Sequence, residues 1–369
     1  MKVILYIGHH KVGSTALQVF LSQNSHRLLQ AGILYPAVEM QGFSHLLAKA
    51  VSKGDTPAYL PANLREPHSA LAYRLINDVS ERPIPPQFKM LPAAPQMMHA
   101  LRSQIEQLEP HTVVLCSEAF ANFGEVDPGL IPRLRTAFPE ADLEIYCAFR
   151  RPDHYLIAWH GQRLKVGEKL PPLREIGHYE YAHTIHFNFR KVIEAWHQHL
   201  PEARFILRNY ADILAAGGSP QDLMAQTGVD WPEDLLPTGK PNRSLPLAAM
   251  EIVRRANHEL PKPLAHQFSQ YMMQKTTHFT SEPDDRIEMF PPGVRAQLLE
   301  DFRPVHAYLS QLGNQAAFFP DIEDIAHDRP VSEEQAMVAY LEQLDPTTMP
   351  VPGISSFVSE LQSEYRVRT

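Results

Sequence analysis

The chain begins MKVILYIGHHKVGSTALQVFLSQ, and this opening limits the possible folds more than any other stretch. Val3 to Ile7 is an unbroken apolar run that ends at glycine, the pattern of a strand covered on both faces. From Ser14 the pattern changes: Leu17, Phe20, Leu21, Leu28 and Leu29 recur at helical spacing up to Ala31. Between the two lies Gly8 to Thr15, GHHKVGST. Strand, glycine turn and helix in that order predict one βα unit of a parallel sheet. A glycine-rich turn also frees backbone N–H groups to converge on an anion, and the helix that follows adds its positive N-terminal end.

Three more apolar runs read as buried parallel strands: Thr112–Cys116, Leu143–Phe149 and Arg204–Leu207, with a fifth short one around Ile33–Tyr35. Helical spacing lies between them, as in Phe187–Leu200 with Phe189, Val192, Ile193 and Trp196. The predicted fold class is α/β, a P-loop-type parallel sheet of about five strands flanked by helices. Thr56 to Pro95 is Pro-rich and weakly periodic, which predicts an irregular insertion over one end of the sheet, either an inert loop or a lid for an acceptor. After Pro241 the strand signals stop. Ser244–Leu260 (with Ser244 as N-cap), Gly293–Leu312 and Ser332–Leu344 read as helices. The expected organisation is a core over 1–240 and a helical extension over 241–369 packed on it.

A chain of 369 residues makes one large domain or two modest ones, and 44% apolar content supports a real core. The formal net charge of −8 gives no reason to expect nucleic acid or an anionic membrane as partner; positive charge for a polyanionic ligand has to be local. Cys116 and Cys147 sit in apolar runs and read as buried small hydrophobes, not as a disulfide framework. With no signal-peptide pattern and no apolar run of about 18 residues, a cytoplasmic location is expected. The 19 histidines are scattered. His9 and His10 are adjacent, and His183 and His186 lack cysteine or acidic partners at zinc-site spacing, so no metal site is expected.

The glycine loop differs from the nucleotide-triphosphate motif G-x-x-x-x-G-K-[ST] in one respect: the lysine is Lys11, inside the loop, and Ser14 follows Gly13. The arrangement G-x-x-K-x-G-[ST]-T resembles the 5′-phosphosulfate loop of sulfotransferases that use PAPS (3′-phosphoadenosine 5′-phosphosulfate), typically P-K-x-G-T-T. The matching residues are His10, Lys11, Val12, Gly13, Ser14 and Thr15, with His10 in place of the proline. The continuation ALQVFLSQNSHRLLQAGILYP is similar to bacterial carbohydrate-type sulfotransferase-like proteins. A second segment, YCAFRRPDHYLIAWHGQRLKVG (Tyr146–Gly167), resembles the family's 3′-phosphate loop, where an Arg at the strand end and a Ser eight residues later hold the 3′-phosphate. Arg150 matches the Arg, whereas position 158 is Ala158, which removes a hydroxyl donor; Arg151, or Arg163 and Lys165, are the compensating candidates. VVLCSEAF, FILRNYADIL and PNRSLPLAAMEIVRRANHEL also resemble family segments, so the likeness spans roughly residues 1 to 260.

The resemblance implies transfer of a sulfuryl group from PAPS, leaving PAP, to a hydroxyl or amine of a carbohydrate or small-molecule acceptor. Lys11 is the expected cation at the leaving oxygen, with Ser14, Thr15 and the loop N–H groups holding the 5′-phosphosulfate. Two residues are candidates for the general base, Glu118 after the strand Thr112–Cys116, and His45 in GFSHLLAKA. Two other readings stay open. One is a non-catalytic protein that keeps a PAPS- or nucleotide-binding fold. The other is a P-loop kinase, which wants Lys after the second glycine and a strand-end Asp for Mg²⁺ where this chain has Ser14 and Ser117-Glu118.

Overall fold

The structure, a computed structural model, describes residues 1–51, 60–88, 90–239, 244–275, 279–280 and 282–368. Five parallel strands form its main sheet: β1 (Lys2–Gly8), β2 (Ile33–Leu34), β3 (Thr112–Cys116), β4 (Asp142–Phe149) and β5 (Arg204–Asn209). They are arranged β2-β3-β1-β4-β5, with Lys2 in register with both Thr112 and Asp142. Each run expected to be a strand is one, because helices cover both faces and each strand therefore reads as continuous apolar sequence. The chain leaves β1 for one side of the sheet and returns later to build the other. The C-terminal end of β1 thus lies where the connections diverge, the place where open α/β sheets bind ligands.

Alternation along the strands sends Ile4 and Tyr6 of β1, Val114 and Cys116 of β3, and Tyr146 and Ala148 of β4 into one core. Tyr6 and Tyr146, paired in register, stack with ring centroids 5.4 Å apart. Leu17, Phe20 and Leu21 of α1 (Ser14–Gln23) close that core, with Leu28 of α2 (Ser25–Gln30). The sequence pattern predicts a single helix here, but it breaks at Asn24. That fully buried side chain donates to the carbonyls of Phe20 and Leu236 and accepts from the Leu236 N–H. A buried amide needs such partners, and Leu236 supplies two of the three.

The expected irregular stretch over 56–95 differs from what is found. Residues 56–59 lie outside the described residues. After α3 (Met40–Val51) and α4 (Ala62–Arg65), Pro67–Ser80 forms a fourteen-residue helix, α5. Pro67 occupies its first turn, where a missing N–H costs nothing. Its buried stripe includes Ala70, Leu71, Ala72, Leu75 and Ile76; the alanines made the periodicity look weak. No helix or strand appears among the described residues of 81–93, and α6 (Ala94–Leu108) follows.

His68 on α5 is fully buried. Its Nδ1 accepts from the Cys116 N–H at 3.1 Å, so Nε2 carries the proton and donates to the Pro36 carbonyl, also at 3.1 Å. Burial pushes its pKa down to about 3. An unfolded histidine protonates near pH 6.5. Between these values the unfolded chain binds the extra proton, so stability falls as pH drops through this window. Replacing His68 with Leu is expected to flatten that slope by up to one proton. Denaturant unfolding at several pH values checks this, and an unchanged slope would refute it.

The chain forms two compact units. The first comprises Met1–Arg151, Asn188–Asn242 and Val305–Phe319 and holds the whole main sheet; the second comprises Pro152–Phe187, Arg243–Pro304 and Pro320–Thr369. The second is built largely from helices, among them Pro152–Lys165, Leu247–Glu259, Glu333–Leu341 and Pro352–Arg368. It also contains a two-residue parallel pair, Ile287–Glu288 with Val331–Ser332, which the sequence did not signal. The helix expected from Ser244 starts at Leu247, after Pro246. Inside this unit Arg174 bridges two buried carboxylates, Glu251 at 3.2 Å and Glu333 at 2.7 Å. Among the described residues no helix is long and apolar enough to cross a membrane.

Candidate functional site

The loop Gly8–Thr15 leaves β1 through a glycine in a conformation that other residues rarely adopt. Gly8 has φ 120°, and a side chain there would meet the Ala121 Cβ at 3.3 Å and the Glu118 Cα at 3.4 Å. The short 3₁₀ helix Glu118–Asn122 after β3 is thus held against the start of the loop. His9 is fully buried, its N–H on the Ala148 carbonyl at 2.7 Å and its ring edge-on to Phe189 and Phe149. Its Nδ1 accepts the His10 N–H at 2.6 Å. His9 therefore anchors the loop to the core. Burial, reinforced by Lys11, pushes the His10 pKa down to about 4, so His10 is neutral at ordinary pH.

Lys11 has φ 60°, a left-handed conformation that is uncommon outside glycine and costs of order 1–3 kcal/mol. Gly13 has φ 85°, and a Cβ there would run into the Ser219 hydroxyl. That hydroxyl donates to the Val12 carbonyl at 3.0 Å. Gly13→Ala is expected to cost about 1–3 kcal/mol, because strained backbone and collision act together. Adding Ser219→Ala removes the collision but also the bond to the Val12 carbonyl, so it should recover only part of the cost. Equal unfolding midpoints for Gly13→Ala and wild type would contradict this.

α1 starts at Ser14, directly after Gly13, and its first N–H groups have no intrahelical acceptor. The buried Ser14 hydroxyl hydrogen-bonds the Glu118 carboxylate. One turn further along the same face, Gln18 donates to Glu118 Oε2 at 3.1 Å. The Glu118 pKa is raised, first by burial and then by the neighbouring Glu66 carboxylate, against the pull of these donors. Sequence reasoning missed Gln18, Ser69 and Ser117, which complete this network. Gln18 also donates to Ser69 Oγ at 3.0 Å, and Ser69 Oγ lies 2.9 Å from Ser117 Oγ. The one available signal was a glutamine four residues after Ser14, inside an apolar helix face.

Arg150 follows β4 on the same edge of the sheet. Its guanidinium lies over the Tyr210 ring, 5.6 Å from the centroid, and that ring comes within 3.8 Å of where a Gly13 side chain would begin. A single tyrosine therefore separates Arg150 from the loop. Arg151 is buried. Ala158, Arg163 and Lys165 lie on the helix Pro152–Lys165 of the second unit. Arg163 is engaged there by Glu168 at 2.8 Å and the Tyr181 hydroxyl at 3.1 Å.

His45, on α3, lies elsewhere in the first unit. It lines a shallow open cleft with Ser22 and Ser25, at the far end of α1 from the loop. Ser22 lies eight positions along the helix from Ser14, about 12 Å at 1.5 Å per residue. Burial and then Lys49 push the His45 pKa down. Lys49 itself donates to the Ser22 carbonyl at 3.2 Å. Of the two base candidates, the structure brings Glu118 to the loop and leaves His45 at the other end of the helix. Among the described residues no group of three or more His, Cys, Asp or Glu side chains is placed to hold a metal ion.

Comparison with protein-family models, with curated proteins and with solved structures finds no match.

Proposed function

We propose that this protein is a PAPS-dependent sulfotransferase whose donor site is the loop after β1. The observation that carries the reading is the convergence of three groups at one edge of the sheet: the Lys11 loop at the start of α1, Arg150 across Tyr210, and Glu118 against Gly8. The residues fit a bisphosphorylated nucleotide. The N–H groups at the start of α1, with Lys11, Ser14 and Thr15, would hold the 5′-phosphosulfate, and Arg150 would hold the 3′-phosphate. When bound, PAPS supplies an activated sulfuryl group.

The chain's own residues then have separate tasks. Lys11 puts a cation where the leaving phosphate gains charge, an interaction stronger in the transition state than in the ground state. Glu118 takes the proton of the acceptor's hydroxyl or amine. Its raised pKa moves it toward the working pH, as a base requires. The acceptor proposed is a carbohydrate or small molecule. A kinase reading is less well supported, because Ser117 and Glu118, not Asp, follow β3.

Thermal unfolding with PAP and with Mg²⁺–ATP tests the reading. PAP at a hundred times its Kd should stabilise by about 2.7 kcal/mol, and Mg²⁺–ATP should give much less. Stronger stabilisation by Mg²⁺–ATP would favour the kinase. No response to millimolar PAP would leave a protein that keeps the fold without the donor site.

A further inference from the structure

We infer that Gln18 is a positioning residue that holds the Glu118 carboxylate in place once the donor occupies the loop. This rests on the sulfotransferase reading of the site.

Glu118 has two side-chain donors, Ser14 and Gln18. They differ in their freedom. Ser14 opens α1 and lies among the groups that would bind the phosphosulfate, so its hydroxyl is drawn away when the anion arrives. Gln18 has no such alternative. It is fully buried, and its Nε2 is shared among Glu118 Oε2 at 3.1 Å, Ser69 Oγ at 3.0 Å and the Cys116 carbonyl at 3.4 Å. The carbonyl only accepts, which sets the amide with its nitrogen toward Glu118. Ser69 is in turn held against Ser117, the residue that caps the 3₁₀ helix carrying Glu118. Gln18 thus ties α1, α5 and the end of β3 to one carboxylate oxygen. Its own Oε1 is buried without a hydrogen-bond partner, so the side chain is set by what its nitrogen reaches.

A donor to the ionised carboxylate favours that form, so removing it raises the carboxyl pKa. The titratable groups facing Glu118 are Glu66 before α5, Tyr73 on α5, Cys116 on β3, Tyr6 on β1 and Tyr35 after β2. The tyrosines and the cysteine are all pushed up and stay neutral, and Glu66 is in turn paired with Arg65 at 2.6 Å.

The test is an infrared titration of the Glu118 carboxyl band in protein saturated with PAP, the band being identified by its loss in Glu118→Gln. Gln18→Met keeps the size and removes the donor. The midpoint is expected to rise by about one pH unit, a tenfold change in proton affinity, while calorimetric PAP affinity stays within about twofold. Gln18→Leu, which also removes the donor and adds no charge, should raise it by a similar amount and serves if the Met variant does not fold. An unmoved midpoint in a folded variant overturns the proposal, even if the variant is less stable. If wild type binds PAP and the midpoint does not move, Gln18 alone is misassigned; if wild type shows no heat of PAP binding, the donor reading fails and the proposal falls with it.

Discussion

Lys11→Ala is expected to lower the rate of PAP release from PAPS by roughly 10²–10³-fold, the scale of losing one preorganised charge partner in the transition state. PAP binding should weaken far less, because the N–H groups at the start of α1 and Arg150 remain. The backbone at Lys11 supplies the control. With φ 60°, the position is one that glycine adopts without a steric penalty, whereas lysine pays for a left-handed conformation. Lys11→Gly should therefore fold with a stability within about 1 kcal/mol of wild type, relief of strain being offset by the greater freedom of the unfolded chain. Its turnover should fall as far as that of the alanine variant. A stable Lys11→Gly protein with near-normal turnover would remove Lys11 from the chemistry.

Asp222→Ala is expected to destabilise the first unit by about 1–3 kcal/mol, the usual result of leaving donors without their buried acceptor, since the Arg208 guanidinium keeps partial access to water. Asp222 is fully buried in the helix Ser219–Gln226. It accepts from Arg208 on β5 at 2.7 and 3.0 Å and from the Tyr146 hydroxyl on β4. Without it, the Arg208 charge and a buried hydroxyl lose their shared acceptor. The effect should reach the loop, since the same helix begins at Ser219, which holds the Val12 carbonyl. Denaturant unfolding measures the loss, and PAP titration of the folded fraction measures the loop. A cost well below about 1 kcal/mol would show that this acceptor contributes little.

What was legible in the sequence follows from what is local. β1, β3, β4 and β5 are covered on both faces, so their apolar runs stand out against polar turns. The glycine turn and the start of α1 were readable because Gly8 and Gly13 adopt positive φ, a local demand that glycine meets. The break at Asn24 was not readable, since its cause is Leu236, more than two hundred residues away. α5 was obscured because Ala70 and Ala72 pack without registering as strongly apolar. Glu118 was found as a strand-end carboxylate. The residues around it, Gln18, Ser69 and Ser117, come from three separate segments that only the parallel sheet brings together. His45 looked equivalent to Glu118 in sequence; only the placement of α3 separates it from the loop.

The central claim is that the loop after β1 and Arg150 hold the two ends of one nucleotide. A crystal structure of the protein grown with PAP tests it most directly. The predicted result is the 5′-phosphate on the N–H groups of Gly13 to Thr15 within reach of Lys11, the 3′-phosphate on Arg150, and Glu118 facing the vacant acceptor position. PAP bound elsewhere, or no PAP at millimolar concentration, would contradict it.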